Sequence, residues 1–192
     1  MIQVKQKNEY LRRFEQIRGD RSRFVDHQDL RGEMVAQYAW AVPTDQAIDV
    51  LVRHSPVVEI GAGTGYWASL AAAAGCDIIC YDITPPGGPE PNCYRHAIQY
   101  HLVEQGGPEM ASQHPDRTLF LCWPPYATSM AAQCLEHYMG NRLILVGEGW
   151  GGCTGDDRFF ELLDGWNETF DLDIPRWDGI HDYLRVFERK VA

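Results

Sequence analysis

Short apolar runs alternate with helical periodicity along this chain. Val57-Val58-Glu59-Ile60, Asp77-Ile78-Ile79-Cys80-Tyr81-Asp82, Thr118-Leu119-Phe120-Leu121-Cys122 and Arg142-Leu143-Ile144-Leu145-Val146 each predict a buried strand, bounded by turn-forming residues. Between them the pattern turns helical. Tyr10, Leu11, Phe14 and Ile17 recur at helical spacing and predict a helix over 5–18. After an irregular piece, Tyr38-Ala39-Trp40-Ala41-Val42-Pro43 leads to a helix capped by Thr44 or Asp45, with Ala47, Ile48, Leu51 and Val52 as its apolar face. An Ala-rich helix runs from Tyr66 to Ala74 and stops at Gly75. A weak strand over 100–104, a short helix from Pro108 to about His114, and helices over 128–139 and 156–163 follow. The tail predicts a hairpin, Thr169 to Ile174 with Tyr183 to Arg189. This alternation is that of an α/β fold with a closing antiparallel hairpin. The segmentation is 1–44 as an N-terminal helical segment and 45–192 as one compact domain.

The first strand ends in Glu59-Ile60-Gly61-Ala62-Gly63-Thr64-Gly65-Tyr66, a turn of small residues that lets backbone N–H groups approach a ligand. Asp82 stands seventeen residues past Gly65, at the tip of the second strand. A Gly-rich turn with an acid on the next strand is the layout that seats a nucleoside, the acid accepting from ribose hydroxyls. The dinucleotide fingerprint fails at its sixth position, where Tyr66 stands in place of glycine. The loop instead resembles the cofactor loop of class I S-adenosylmethionine-dependent methyltransferases. The resemblance implies a Rossmann-like sheet, mostly parallel with one antiparallel strand near the edge and helices on both faces, and S-adenosylmethionine as cofactor. It places Gly61, Gly63 and Gly65 along the methionine end and Asp82 on the ribose. Glu59 holds the loop or meets the amino group through water, and Ala62 and Cys122 complete the cofactor-binding set.

Leu121-Cys122-Trp123-Pro124-Pro125-Tyr126 follows a strand expected to be central, where ligands of open α/β sheets bind. It is similar to the Asp/Asn-Pro-Pro-aromatic motif of amino-group methyltransferases, in which the first residue and a proline carbonyl accept from the target nitrogen and the aromatic stacks on the base. Trp123 replaces the acceptor, and an indole N–H only donates. Trp123 is therefore expected to line the target pocket or to lie near the sulfonium, with Tyr126 beside the acceptor. A third cluster, Gly147 to Asp157, leaves the same end of the sheet. In it Glu148 is the candidate proton acceptor or substrate anchor, and Thr154 or Asp156 caps the next helix. His181, in a tail loop marked by Trp166, Trp177 and Asp182, is a candidate base near neutral pH. Thr84-Pro85-Pro86-Gly87-Gly88-Pro89-Glu90-Pro91 replaces the helix that ordinary members carry after the second strand, either as a lid or as a plain connection.

Composition narrows the function classes. The length of 192 residues suits one domain, and no apolar run reaches the roughly 20 residues of a bilayer span. The N-terminus lacks a secretion-signal core. Cysteines at 76, 80, 93, 122, 134 and 153 form no Cys-x-x-Cys pair. They are expected reduced and buried in a cytoplasmic protein, without a metal. The net charge of −10 opposes broad binding to a phosphate backbone. Lys5, Lys7, Arg12, Arg13, Arg18, Arg21 and Arg23 nevertheless outnumber Glu9, Glu15 and Asp20 in residues 1–23. That basic arm is either a solvated amphipathic helix or a contact for an anionic partner. Three functions stay open: methyl transfer to a small or medium-sized molecule, which is favoured; methyl transfer to a nucleobase amino group; and a non-catalytic cofactor-binding scaffold.

Overall fold

The computed structural model describes residues 7–19, 27–88 and 98–191. Among these residues seven strands form one sheet: β1 (Val57–Ile60), β2 (Ile78–Asp82), β3 (Glu104–Gln105), β4 (Thr118–Cys122), β5 (Arg142–Gly147), β6 (Trp166–Asp173) and β7 (Tyr183–Arg189). Their order is β3-β2-β1-β4-β5-β7-β6. The strands from β3 to β5 pair in parallel, and β7 runs antiparallel to both its neighbours. β4 is central and buried through Leu121, as its unbroken apolar run predicts. The chain fills one side of β1 with β2 and β3, then crosses to β4. The β1/β4 boundary is the topological switch point where such sheets bind ligands.

Among the described residues six α-helices flank the sheet: α1 (Glu9–Gly19), α2 (His27–Gln37), α3 (Asp45–Arg53), α4 (Tyr66–Ala73), α5 (Met130–His137) and α6 (Asp157–Leu162). Thr44 caps α3 by accepting from the Ala47 N–H at 3.1 Å, and Asp156 rather than Thr154 caps α6 through Phe159 N–H at 3.0 Å. Cys76 follows Gly75, whose φ of +100° ends the turn after α4.

Four elements depart from expectation. The irregular piece before Tyr38 contains α2. Its apolar residues are few and Gly32 interrupts it, but Met34 and Val35 are buried against the body. The strand expected over 100–104 shrinks to β3. Tyr100 N–H donates to Thr64 O at 2.8 Å, and the Tyr100 ring packs on Tyr66, so this stretch is pinned to the glycine loop rather than to the sheet edge. Residues 108–113 form a 3-10 helix, and β6 begins three residues early because Trp166 is buried beneath the Arg189 guanidinium and beside Tyr138.

α1 docks on the same core as the sheet. Tyr10 stacks on Tyr38 at 5.1 Å and 16°, and its hydroxyl accepts from the Trp177 indole at 3.1 Å. Phe14 meets Trp177 edge-on at 5.0 Å. Arg12 pairs with Glu9, Arg18 with Asp178, and Arg13 donates to Gln37 at 2.7 Å. The described basic residues of the arm are thus largely engaged within the molecule, as in a solvated amphipathic helix. Lys5, Asp20, Arg21 and Arg23 lie outside the described residues, as do Cys93 and residues 89–91 of the Pro/Gly loop. Residues 84–88 are non-helical turns.

Cys76, Cys80 and Cys134 are buried and free, but Cys122 is half-buried and Cys153 exposed, because Cys153 sits in a glycine-rich loop rather than an apolar element. No helix among the described residues is long and apolar enough to cross a membrane.

Candidate functional site

The C-terminal tips of β1, β2 and β4 open into a cavity of about 680 Å³, lined also by Arg31 of α2 and the segment from Tyr38 to Trp40. Its wall brings together Glu59, Gly61, Ala62, Gly63, Asp82, Cys122, Trp123 and Tyr126 from the sequence-derived set. Gly65, Glu148 and His181 do not line it.

On the β2 side the glycine loop is held rigidly. Gly61 has φ +78°, and a Cβ there would come 2.8 Å from the Met130 methyl, so only glycine fits without displacement. Gly65, φ +70°, starts α4 under His101 and Val103, so its role is to turn the chain. The N–H groups of Gly61 and Ala62 both donate to Tyr81 O, at 2.8 and 3.0 Å, and Gly65 N–H donates to Ala62 O at 2.9 Å. Gly63 N–H donates to Asp82 Oδ2 at 2.9 Å. The expected cradle of N–H donors is therefore largely spent on the protein itself. The loop offers a close, side-chain-poor wall instead.

Asp82 carries a double duty. Oδ2 fixes the glycine loop and Oδ1 accepts from Thr84 N–H at 2.9 Å, which leaves each oxygen a further lone pair for ribose hydroxyls. Glu59 lies inside β1, 1% exposed, and receives the Cys80 thiol at 3.6 Å. Burial pushes its carboxyl up to about 8, reinforced by the neighbouring Asp82 charge and only partly offset by Cys80.

The β4 side is aromatic. Trp123 has φ +53°, a left-handed conformation that non-glycine residues rarely adopt. Its N–H is held by Val146 O at 2.7 Å. Its indole Nε1–H donates to Asp182 Oδ1 at 2.7 Å, and its face stacks on Trp40 at 4.9 Å and 13°. The Arg31 guanidinium from α2 lies 5.2 Å from the Trp123 ring centre and 5.3 Å from that of Trp40. Asp182 is buried; that burial raises its carboxyl to about 7, with Glu148 adding to the rise and the Trp123 indole, Arg31 and Arg176 opposing it. Tyr126 stands 65% exposed at the cavity mouth. The Pro124 carbonyl accepts from Gly155 N–H at 3.0 Å, and Pro125 bridges to Thr154. With Trp123 in place of an acceptor side chain and its indole donor turned to Asp182, this loop lacks the side-chain half of the acceptor pair that a target amine needs.

Glu148 ties two loops. Its Oε2 accepts from Cys153 N–H at 2.6 Å and its Oε1 from His181 N–H at 2.7 Å. Burial raises its carboxyl, but these donors prevail and leave it below the usual glutamate value. Such a group is a poor proton acceptor and a good clamp. The His181 side chain is 74% exposed, with Nδ1 3.4 Å from Glu148. Arg31, Tyr38, Trp40 and the Asp182 partnership were not identified from sequence. The Tyr38-Ala39-Trp40 run was visible, but only as an approach to a helix.

No family model matches the sequence, and no curated protein matches it. Solved structures match by fold. The magnesium protoporphyrin IX methyltransferase (ChlM) of Synechocystis PCC 6803 with bound SAH is 15% identical, with a TM-score of 0.51 over 95% of this chain and 94% of that one. The same enzyme with bound SAM gives 13% and 0.50 over 95% and 90%. The 1,6-didemethyltoxoflavin-N1-methyltransferase of Burkholderia thailandensis, bound to 1,6-didemethyltoxoflavin and S-adenosylhomocysteine, gives 16% and 0.49 over 97% and 92%. At such identities the likeness establishes the fold, which is the Rossmann-like methyltransferase sheet.

Proposed function

We propose that this chain is an S-adenosylmethionine-dependent methyltransferase acting on a small or medium-sized acceptor. One observation carries the reading: a single cavity at the switch point joins the Asp82 carboxylate and the glycine wall to the Trp123 loop. Its volume lies within the ~300–1,000 Å³ of small-molecule sites. The residues present fit the cofactor. Asp82 retains acceptor capacity for two ribose hydroxyls, and Gly61-Ala62-Gly63 admits the methionine end at close range. Ile83 and Thr84, next to Asp82 in the chain, and Cys122 at the end of β4 line the same cavity. When bound, S-adenosylmethionine supplies an electrophilic methyl group on a positively charged sulfur.

The chain's own part is alignment and exclusion of water. Holding the acceptor atom in line with the sulfur–methyl bond supplies several kcal/mol of the barrier. The rigid walls do this: Trp123 is fixed by Asp182 and Trp40, and the glycine loop by Tyr81 and Asp82. Aromatic faces of Trp40 and Trp123 stabilise a nearby cation by roughly 0.5–2 kcal/mol. Glu148 and His181 serve best as loop clamp and surface residue, so the acceptor nucleophile reacts from a state already able to attack. The acidic composition, the engaged basic arm and the missing side-chain acceptor for an amine favour a small molecule over a nucleobase.

Calorimetric titration with S-adenosylmethionine and S-adenosylhomocysteine tests the cofactor site. Transfer of labelled methyl groups to a metabolite extract, DNA and RNA tests the rest. Saturable uptake with label in the small-molecule fraction is expected. Absence of uptake by folded protein removes the reading, label in nucleic acid replaces the acceptor class, and uptake without transfer points to a scaffold.

A further inference from the structure

We infer that Arg31 anchors the methyl acceptor through an anionic group, so that the acceptor is a small aromatic carboxylate seated on Trp40 and Trp123. The inference deepens the methyltransferase reading and rests on it. Arg31 Nε and Nη2 are shielded from solvent and have no hydrogen-bond partner among the described residues. Leaving a buried guanidinium donor without an acceptor is costly, so the fold retains it where a ligand completes it. Arg31 is also the sole Lys or Arg among the described residues lining the cavity. The other Asp and Glu side chains on that wall are Glu59 and Asp82 at the β1 and β2 tips, so among its described residues an anion finds a fixed positive charge at Arg31 alone.

The position separates this anchor from the ribose end of the cofactor site. Asp82 ends β2, and Trp123 follows β4 on the far side of β1, which is two strand spacings away, roughly 9–10 Å. The Trp123 indole points further from β1 still, towards Asp182 just before β7. Arg31 lies against that indole, with Cys153 and Ile180 on the adjoining wall. A planar guanidinium fork presents Nε and Nη2 together, the pair that meets a carboxylate with two parallel bonds. Flat indole faces beside it favour a flat ring carrying that carboxylate.

The test uses full-length protein saturated with S-adenosylhomocysteine. Benzoate, 2-aminobenzoate and 4-hydroxybenzoate are titrated against their neutral amides, read by calorimetry and by tryptophan fluorescence. At least one carboxylate should bind saturably and its amide about 10-fold more weakly. Arg31→Gln should weaken that carboxylate at least about 10-fold while holding S-adenosylhomocysteine affinity within about 2-fold. Arg158→Gln, an exposed arginine paired with Glu136 and Glu161, should change neither and so controls for general charge attraction. Three results overturn the inference: no saturable carboxylate binding, equal binding by wild type and Arg31→Gln, or loss of S-adenosylhomocysteine in Arg31→Gln, which reassigns Arg31 to the cofactor's own carboxylate. Wild-type protein that binds no S-adenosylhomocysteine at all refutes the underlying methyltransferase reading instead.

Discussion

The two halves of the cavity are built by different means. Around the tips of β1 and β2 the wall is backbone: Gly61, Ala62 and Gly63 spend their N–H groups on Tyr81 and Asp82, and the residues involved are close in sequence or on paired strands. Around the tips of β4 and β5 the wall is side chain. Arg31 and Trp40 come from the N-terminal part, Trp123 from the β4 loop, and Asp182 from the approach to β7. A wall of short backbone ties accepts little variation in what it holds. A wall of long side chains from distant segments can be rebuilt one residue at a time. This division matches the constant cofactor and variable acceptor of the proposed reaction.

Each half also buries one acid. Glu59 is raised to about 8 and Asp182 to about 7, both chiefly by desolvation. Glu59 is left with a thiol for a partner, whereas Asp182 holds an indole N–H and sits near Arg31.

The largest expected effect separates the halves by stability. Trp123→Ala removes a buried indole that stacks on Trp40, and costs about 3–5 kcal/mol. It also strands Asp182 without its donor. Denaturant unfolding should show the loss, and methyl transfer should fall steeply while S-adenosylhomocysteine affinity stays within about 3-fold. An equal fall in cofactor affinity would erase the boundary drawn between the halves.

Asp82→Ala is the counterpart on the other wall. Loss of hydrogen bonds to a charged acceptor should weaken cofactor binding by about 1.5–3 kcal/mol. The released Gly63 N–H adds loop disorder to that figure, so Asp82→Asn should recover part of the affinity. Calorimetry on both variants, with melting curves as a control for folding, checks this. Unchanged affinity in Asp82→Ala would remove the ribose role.

The unequal legibility of the two walls follows from the same construction. Val57 to Gly65 and Asp82 were readable because a strand, a turn and an acid at fixed spacing are local signals, and the structure joins them with contacts between adjacent strands. The sheet was readable for the same reason, strand by strand. Arg31 was not, because α2 has almost no apolar stripe and its tie to the core depends on Met34, Val35 and the adjoining Tyr38, which stacks on the distant Tyr10. Glu148 looked like a base from its place after β5. Only the fold shows both its oxygens occupied by the Cys153 and His181 N–H groups. The Trp123–Asp182 bond spans 59 residues and left no mark on either local pattern.

The buried acids give a pH contrast. A carboxyl raised on folding keeps a proton that the unfolded chain has lost. Stability is therefore fullest below the unfolded value and falls as pH rises through the folded one. For Glu59 the window runs from 4.5 to about 8, and for Asp182 from 3.8 to about 7. Within each window the slope approaches about 1.4 kcal/mol per pH unit. Glu59→Gln should flatten the wild-type decline between about pH 7 and 8. Asp182→Asn should leave that upper segment in place and remove part of the decline below it. Identical difference curves would mean that the two acids do not mark separate halves.

The smallest expected effect belongs to His181. Its ring is largely exposed and outside the cavity wall, and the group that Glu148 needs is the backbone N–H, which any residue but proline supplies. His181→Ala should therefore change stability by no more than about 0.5 kcal/mol, the range of ordinary surface substitutions, and turnover by less than about 2-fold. His181→Pro should behave differently, because it deletes the donor and leaves a buried Glu148 oxygen without its partner, at about 1–3 kcal/mol. A large loss of turnover in His181→Ala with normal melting would restore the imidazole as a base and draw the β6–β7 loop into the chemistry.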